Sequence, residues 1–181
     1  MTMLLRRKHI ALFYGCIAGF CLILLMTILY KAGVNYYLGP IAYLGYAILI
    51  GLAITAVLAM KRTDDGYLEF QEAVKTCFTV FVIGLAVQTL YTWALLNFLD
   101  LHFKNDLTQA VLQNQENWLR RSGMPADKLE TLMIAERGKD QFRLGGMITG
   151  LAFTYIVHFL IALLIAAIVK KKKPVFSDAG I

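Results

Sequence analysis

Long uncharged hydrophobic stretches alternate with polar segments along the whole chain. Four stretches contain no Asp, Glu, Lys or Arg, and each is 21 to 26 residues long: 10–30, 38–60, 76–99 and 144–169. About 20 helical residues are needed to cross a hydrocarbon core of ~30 Å. Inside lipid a single stretch can pair all of its backbone amides only by forming a helix. The pattern therefore predicts four transmembrane helices.

The composition supports the same fold class. The 181 residues are 59% hydrophobic and only 17% charged, whereas about a quarter of the residues in soluble domains are charged. We therefore predict an all-α protein, an integral membrane four-helix bundle that forms a single membrane domain over residues 1–181.

Residues 100–143 form the one sizeable polar segment. Leu107, Val111, Asn114 and Trp118 recur at helical spacing, and a second helix is predicted over residues 126–137. The Ser-Gly-Met-Pro sequence at 122–125 separates the two, because Gly fits just past a helix end and Pro fits a helix start. The sequence thus predicts an extracytoplasmic helical hairpin, about residues 104–143, that caps the bundle between spans three and four.

The basic residues close to the span ends predict the orientation. Four spans place both termini on one side, which holds ten Lys and Arg, all in short flanks: Arg6, Arg7, Lys8, Lys61, Arg62, Lys75, Lys170, Lys171, Lys172 and Lys173. The other side holds eight, several of them in the middle of the long loop. Since Lys and Arg near span ends favour the cytoplasmic side, both termini are predicted to be cytoplasmic.

The predicted cytoplasmic loop between spans two and three contains a turn and an apolar face. Asp64, Asp65 and Gly66 are typical turn residues. Tyr67, Phe70 and Val74 then follow at helical spacing. This pattern predicts a short amphipathic helix at the membrane surface before span three.

A polar cluster is predicted in the middle of the membrane. His158 lies about 17 Å along span four from Val169, and Gln88 about 20 Å along span three from Lys75, at 1.5 Å per residue. The similar depths allow a hydrogen bond between them, and Thr154 and Tyr155 lie one turn away. Such a cluster is either interhelical glue or a functional site for a proton or substrate. No second ionisable residue occurs inside any span, which argues against an ion-coupled pump.

Small residues recur at helix-packing spacing in three of the spans. They allow helices to approach closely, either inside the bundle or at an oligomer interface. The candidate packing faces are Gly15 and Gly19 in span one, Gly51 in span two, and Gly146 and Gly150 in span four.

The four lysines that follow span four suit lipid binding better than catalysis. Lys170, Lys171, Lys172 and Lys173 are predicted to contact anionic lipid of the inner leaflet. No nucleic-acid partner is expected, since no folded basic domain accompanies this run. The sequence contains no catalytic, metal or cofactor motif, and we expect neither an enzyme nor a bound cofactor.

Two sequence motifs resemble those of a known bacterial family. One is Tyr-Gly-Cys-Ile-Ala-Gly at 14–19, and the other is Asp-Gly-Tyr-Leu-Glu-Phe-Gln-Glu-Ala-Val-Lys at 65–75. They resemble domain-of-unknown-function family 4199, small four-span proteins with a polar helical stretch before the last span. In the second motif the matching positions are Gly66, Phe70, Ala73 and Lys75. The resemblance implies the inner membrane of a Gram-negative bacterium and no assigned activity.

Two functional hypotheses follow from these features. The first is a non-enzymatic accessory or scaffold subunit of an envelope-associated membrane complex, as a homo-oligomer or with a partner membrane protein. Through the resemblance, that partner could be a lipid-linked glycosyltransferase. The alternative is a component of a carrier for a small-molecule or lipid-linked substrate, which would use the His158 and Gln88 cluster.

Overall fold

The computed structural model describes residues 2–63 and 65–171, with side chains from His9 onward. Within these ranges the chain is helical almost throughout, as the sequence predicts. It forms seven α-helices: α1 (Thr2–Ala32), α2 (Val34–Tyr37), α3 (Leu44–Thr63), α4 (Phe70–Ala94), α5 (Leu101–Arg121), α6 (Ala126–Arg137) and α7 (Leu144–Val169). A 3₁₀ turn, Pro40–Tyr43, leads into α3. A π-helical turn, Leu95–Leu99, ends α4.

Four segments of the described chain are long and apolar enough to cross a membrane: His9–Ala32, Pro40–Thr63, Phe70–Leu99 and Leu144–Val169. The four-span prediction is therefore confirmed. The third segment begins at Phe70 instead of the predicted Thr76. Helix α4 already includes Glu72 and Lys75, which precede the uncharged stretch. We call the bundle end with Lys61 and Lys170 the lysine end, and the opposite end, where α4 meets α5, the hairpin end.

Helix α4 is the centre of the bundle. It packs against α1, α3 and α7. Helix α7 packs mainly against α4 and has few contacts with α3. The core formed by these four helices includes the fully buried side chains of Leu22, Leu49, Val57 and Phe81. Because lipid tails are as apolar as these side chains, close van der Waals packing holds membrane helices together more than the hydrophobic effect does.

A stripe of small residues brings α1 and α4 close together. A Cβ added at Gly15 would lie 2.9 Å from Ile83 Cβ, and one added at Gly19 would lie 2.9 Å from Val87 Cβ. Both distances are shorter than van der Waals contact. Any residue larger than glycine at these two positions would therefore force α1 and α4 apart. A Cβ added at Gly84 of α4 would likewise lie 3.2 Å from Ala18 Cβ.

The lysine end is closed by a contact between two distant parts of the chain. Leu68 and Lys171 exchange two backbone hydrogen bonds, 2.9 and 3.0 Å long. The Lys61 ammonium also donates to the Val169 carbonyl at 2.9 Å. The predicted amphipathic helix is therefore wrong at its start: Tyr67 and Leu68 are not helical, and α4 begins at Phe70. Pairing with Lys171 holds Leu68 in a bridge, which a helix at this point would break.

The hairpin helices α5 and α6 are joined by the predicted turn. Gly123 has the positive φ of +77° that follows a helix end, and Pro125 precedes the first turn of α6. In the described chain α5 contacts α2 and the π-helical turn, whereas α6 packs only on α5. The hairpin therefore meets the bundle through the start of α5, and the helix contacts of α6 in the described chain are with α5 alone.

Two carboxylates fix the start of α5 and the loop that leads to α7. Asp100 accepts a hydrogen bond from the Phe103 amide at 2.8 Å and another from the Tyr30 hydroxyl at 2.7 Å. These bonds, the amide first, lower the pKa of Asp100 below its ordinary value. Lys104 bonds both Asp140 at 2.7 Å and Asn97 at 2.9 Å, which ties the π-helical turn to the loop before α7.

Candidate binding cavity

His158 is buried inside the bundle against two aromatic rings, and we call these three side chains, His158, Tyr46 and Phe81, the His158 layer. It is only 2% exposed. Its ring stacks on Tyr46 at 5.7 Å between centroids and meets Phe81 in a T-shaped contact at 5.0 Å. Nδ1 lies 2.8 Å from the Thr154 carbonyl oxygen. A carbonyl only accepts, so Nδ1 carries the hydrogen, and Nε2 of the neutral ring is an acceptor. Nε2 is buried without a partner in the described residues.

The expected hydrogen bond between Gln88 and His158 is absent. Phe81 lies level with His158, as their ring contact shows. Since α4 and α7 run antiparallel, Gln88, seven residues further along α4, lies about 10 Å closer to the hairpin end. The depth estimate from the sequence failed because it took Lys75 and Val169 to lie at equal depths.

Tyr155 and Thr154 diverge within the predicted cluster. The Tyr155 hydroxyl donates to the Val82 carbonyl at 3.0 Å, which links α7 to α4. The Thr154 hydroxyl donates to the Gly150 carbonyl of its own helix at 2.9 Å. The structure therefore unites Thr154 with Gln88 in one cavity, while His158 and Tyr155 pack below and beside it.

This cavity occupies the hairpin-end half of the bundle and has a volume of about 230 Å³. Four lining residues share one face of α4: Leu85, Gln88, Thr89 and Thr92. Three more come from one face of α7: Met147, Leu151 and Thr154. The other three are Met26 of α1, Tyr37 at the end of α2, and Tyr46 of α3. Since Tyr46 also stacks on His158, the His158 layer lies directly beneath the cavity.

The cavity lining combines polar groups with a larger share of apolar surface, and it is uncharged. Six of its ten residues bear a hydroxyl or an amide, and none bears a charge. Burial raises the pKa of the Tyr37 phenol above its ordinary value, so this hydroxyl stays neutral, and it lies 3.5 Å from the Thr92 hydroxyl. The described chain offers no hydrogen-bond partner to the side chains of Gln88, Thr89 or Tyr46. These three polar groups are available to a ligand.

The sequence could have revealed part of this lining. Thr89 and Thr92 lie one and four residues after Gln88, so a polar face of span three was visible as a pattern. Tyr37 and Tyr46 carry no such signal, because their place in the cavity depends on how α2 and α3 pack.

The predicted packing glycines fall into two groups. Gly15 and Gly19 lie against α4, as described above. A Cβ added at Gly51 or Gly150 would meet no atom within 4 Å, and one added at Gly146 would meet the Gln141 carbonyl oxygen at 2.7 Å. These three glycines are exposed and make no close contact between spans in the described chain.

The predicted lipid-binding lysines are partly described. The Lys170 ammonium lies 5.7 Å from the centroid of the Phe70 ring, and that of Lys171 lies 5.5 Å from the Tyr67 ring. Both residues are exposed at the lysine end. Lys172 and Lys173 lie outside the described residues.

These features define a multi-pass α-helical membrane protein with a small uncharged cavity. The sequence profile of a family described as protein of unknown function (DUF4199) matches residues 13–171. The chain therefore belongs to the DUF4199 family, as its two motifs indicated. Neither a curated protein nor a solved structure matches the chain.

Proposed function

We propose that this protein is a non-enzymatic accessory subunit of an envelope-associated complex in the bacterial inner membrane. In this proposal both termini and the lysine end face the cytoplasm, and the hairpin lies outside. The basic residues at the lysine end support this orientation. There Lys61, Lys170 and Lys171 lie close to the span ends, where they can also contact anionic lipid.

The exposed apolar surface of the hairpin is the observation that carries the proposal. Trp118 of α5 is 67% exposed and Ile134 of α6 is 64% exposed. Both lie outside the four membrane-crossing segments, and α6 packs on no other described helix than α5. Exposed tryptophan is enriched among the anchor residues of protein interfaces, which supports a partner at this surface. The partner can be a second copy of the chain or another membrane protein, such as a lipid-linked glycosyltransferase.

Site-specific photo-crosslinking in native membranes tests this proposal. A photoreactive residue replaces Trp118 in one variant and the exposed, polar Gln113 of the same helix in a control. We expect a discrete adduct of higher mass from position 118, and little or none from position 113. If both variants give only the monomer, and native-detergent purification also gives a lone monomer, the accessory-subunit proposal is wrong.

The cavity favours a second candidate, a carrier component for a small or lipid-linked substrate. Its lining brings Gln88 and Thr154 together above the His158 layer, with polar groups that are free for a ligand. The test uses a deletion strain with an envelope phenotype, complemented by His158→Ala or Gln88→Leu. A carrier requires at least one of these variants to lose complementation at normal protein levels. Full complementation by both removes this candidate.

A further inference from the structure

The cavity combines several hydrogen-bonding groups with a complete lack of charge. The Gln88 amide can donate and accept, and so can the hydroxyls of Thr89 and Tyr46. No lysine, arginine or carboxylate lines the cavity to neutralise a charged ligand. An ion moved from water into such a site would lose its hydration without gaining a counter-charge. The lining therefore suits an uncharged ligand that offers both hydrogen-bonding groups and apolar surface.

The cavity volume limits the size of this ligand. About 230 Å³ corresponds to roughly seven water molecules at ~30 Å³ each. It is below the ~300–1,000 Å³ of pockets that enclose drug-sized molecules. A single sugar ring or a polyol fits this range. The rings of Tyr37 and Tyr46, with Met26, Leu85 and Leu151, also offer apolar surface to the carbon face of a sugar.

The arrangement of the helices leaves a way into the cavity. Its walls include Met26 of α1 and Met147 of α7, yet α1 and α7 make no close approach in the described chain, and α7 touches α3 only marginally. The cavity thus fills a gap that the bundle leaves beside α4. It is partly open, and it lies in the hairpin-end half of the bundle.

From this chemistry, size and access we infer that the cavity binds an uncharged, hydroxyl-rich group of sugar or polyol type. The group can be a free molecule or the headgroup of a neutral glycolipid, because both present the same hydroxyls. This inference proposes a class of ligand for the cavity that the carrier candidate uses. It rests on the carrier candidate only because both place the site in this cavity. Binding does not require that the ligand crosses the membrane.

The experiment measures ligand-induced stabilisation of the full chain. In one arm glycerol, glucose or N-acetylglucosamine is added to the detergent-purified protein, with glucose 6-phosphate as the charged control. In the other arm the protein is held in phosphatidylcholine nanodiscs with or without monoglucosyl diacylglycerol. A ligand that binds only the folded state raises the unfolding midpoint as its concentration passes the Kd.

We expect at least one neutral probe to raise the midpoint, and glucose 6-phosphate to have no effect. A rise with a free probe identifies a soluble ligand, and a rise with the glucolipid alone identifies a headgroup. If no neutral probe raises the midpoint, or if glucose 6-phosphate raises it equally, the inference is wrong.

Two variants locate the binding. Gln88→Leu removes the amide and should weaken binding about tenfold, the loss typical of one or two hydrogen bonds. Thr149→Val changes an exposed threonine of α7 outside the cavity, and should bind like the wild type. Equal binding by Gln88→Leu and the wild type would place the ligand elsewhere and overturn the inference. If Gln88→Leu does not fold, as judged by its midpoint without ligand, Thr89→Val takes its place under the same criterion.

Uptake of the same probes into proteoliposomes separates this inference from the carrier candidate. Binding without uptake leaves the inference intact and refutes the carrier. Uptake of a charged solute without any binding of neutral probes supports a carrier and refutes the inference.

Discussion

The His158 ring is held by packing on two sides and by one hydrogen bond within its own helix. Tyr46 stacks on this ring and Phe81 meets it in a T-shaped contact, and the Thr154 carbonyl that accepts from Nδ1 belongs to the preceding turn of α7. The other nitrogen, Nε2, has no partner in the described chain. At this residue, ring volume should therefore contribute more to stability than polarity does.

Two substitutions of His158 test this account. His158→Phe keeps an aromatic ring and removes the unpaired acceptor, so the free energy of unfolding should change by less than ~1.5 kcal/mol. His158→Ala leaves a void and should lower it by about 2–4 kcal/mol. Reversible unfolding in detergent measures both values. An equal, large loss in the two variants would mean that Nε2 has an essential partner, such as a bound ligand.

Asp100 lies directly before α5, and its ionisation makes the stability of the folded protein depend on pH. Its pKa is lowered in the folded protein by the Phe103 amide and then by the Tyr30 hydroxyl. The ionised carboxylate therefore stabilises the fold at pH above its ordinary pKa of ~3.9, and this contribution is lost as the pH falls through the lowered value. Asp100→Asn cannot titrate, so its unfolding midpoint should fall less than that of the wild type between pH 6 and pH 3.

The matched control for this prediction is Glu130→Gln on the exposed surface of α6. It should keep the acid sensitivity of the wild type. If Asp100→Asn and Glu130→Gln lose stability equally as the pH falls, Asp100 does not carry the proposed share of the pH dependence.

At the scale of whole helices, the approach of α1 to α4 depends on glycine. Gly19→Ala places a Cβ 2.9 Å from Val87 Cβ, and since a Cβ is fixed to the backbone, the helices must separate. We expect the free energy of unfolding to fall by about 1–3 kcal/mol. Gly51→Ala in α3 is the control: its Cβ meets open space, and alanine favours helix by up to ~1 kcal/mol.

Thermal or chemical unfolding of the two alanine variants in the same detergent measures the difference. Gly19→Ala should be clearly less stable than Gly51→Ala. Equal stabilities would contradict the close packing of α1 against α4 that the structure shows.

The helices and turns could be predicted because local sequence patterns mark them. Contacts between distant segments leave no local pattern and were missed. Uncharged length was sufficient for the four spans, and Gly123 with Pro125 was sufficient for the hairpin turn. The extended segment at Leu68 was missed because its partner, Lys171, lies far along the chain. The level of Gln88 was misjudged for a similar reason: the register between α4 and α7 is set by side-chain packing at Phe81 and His158, which no local pattern reports.

At the scale of the whole molecule, α4 connects the spans, the cavity and the start of the hairpin. It packs against the three other spans, provides four residues of the cavity wall, and ends in the π-helical turn at the root of the hairpin. π-Helical turns are frequent at functional sites. In this chain the π-helical turn lies between the cavity residue Thr92 and the start of α5 at Leu101.

The central claim is that the chain crosses the membrane four times and exposes the hairpin opposite its lysine end. Single cysteines test it most directly, in a background where Cys16, Cys21 and Cys77 are replaced by alanine. Asn35→Cys, Arg62→Cys, Gln113→Cys and Lys171→Cys are labelled in intact cells with a membrane-impermeant maleimide. The account predicts labelling of positions 35 and 113 and protection of positions 62 and 171 until the membrane is permeabilised. Labelling of positions 113 and 171 from the same side would contradict it.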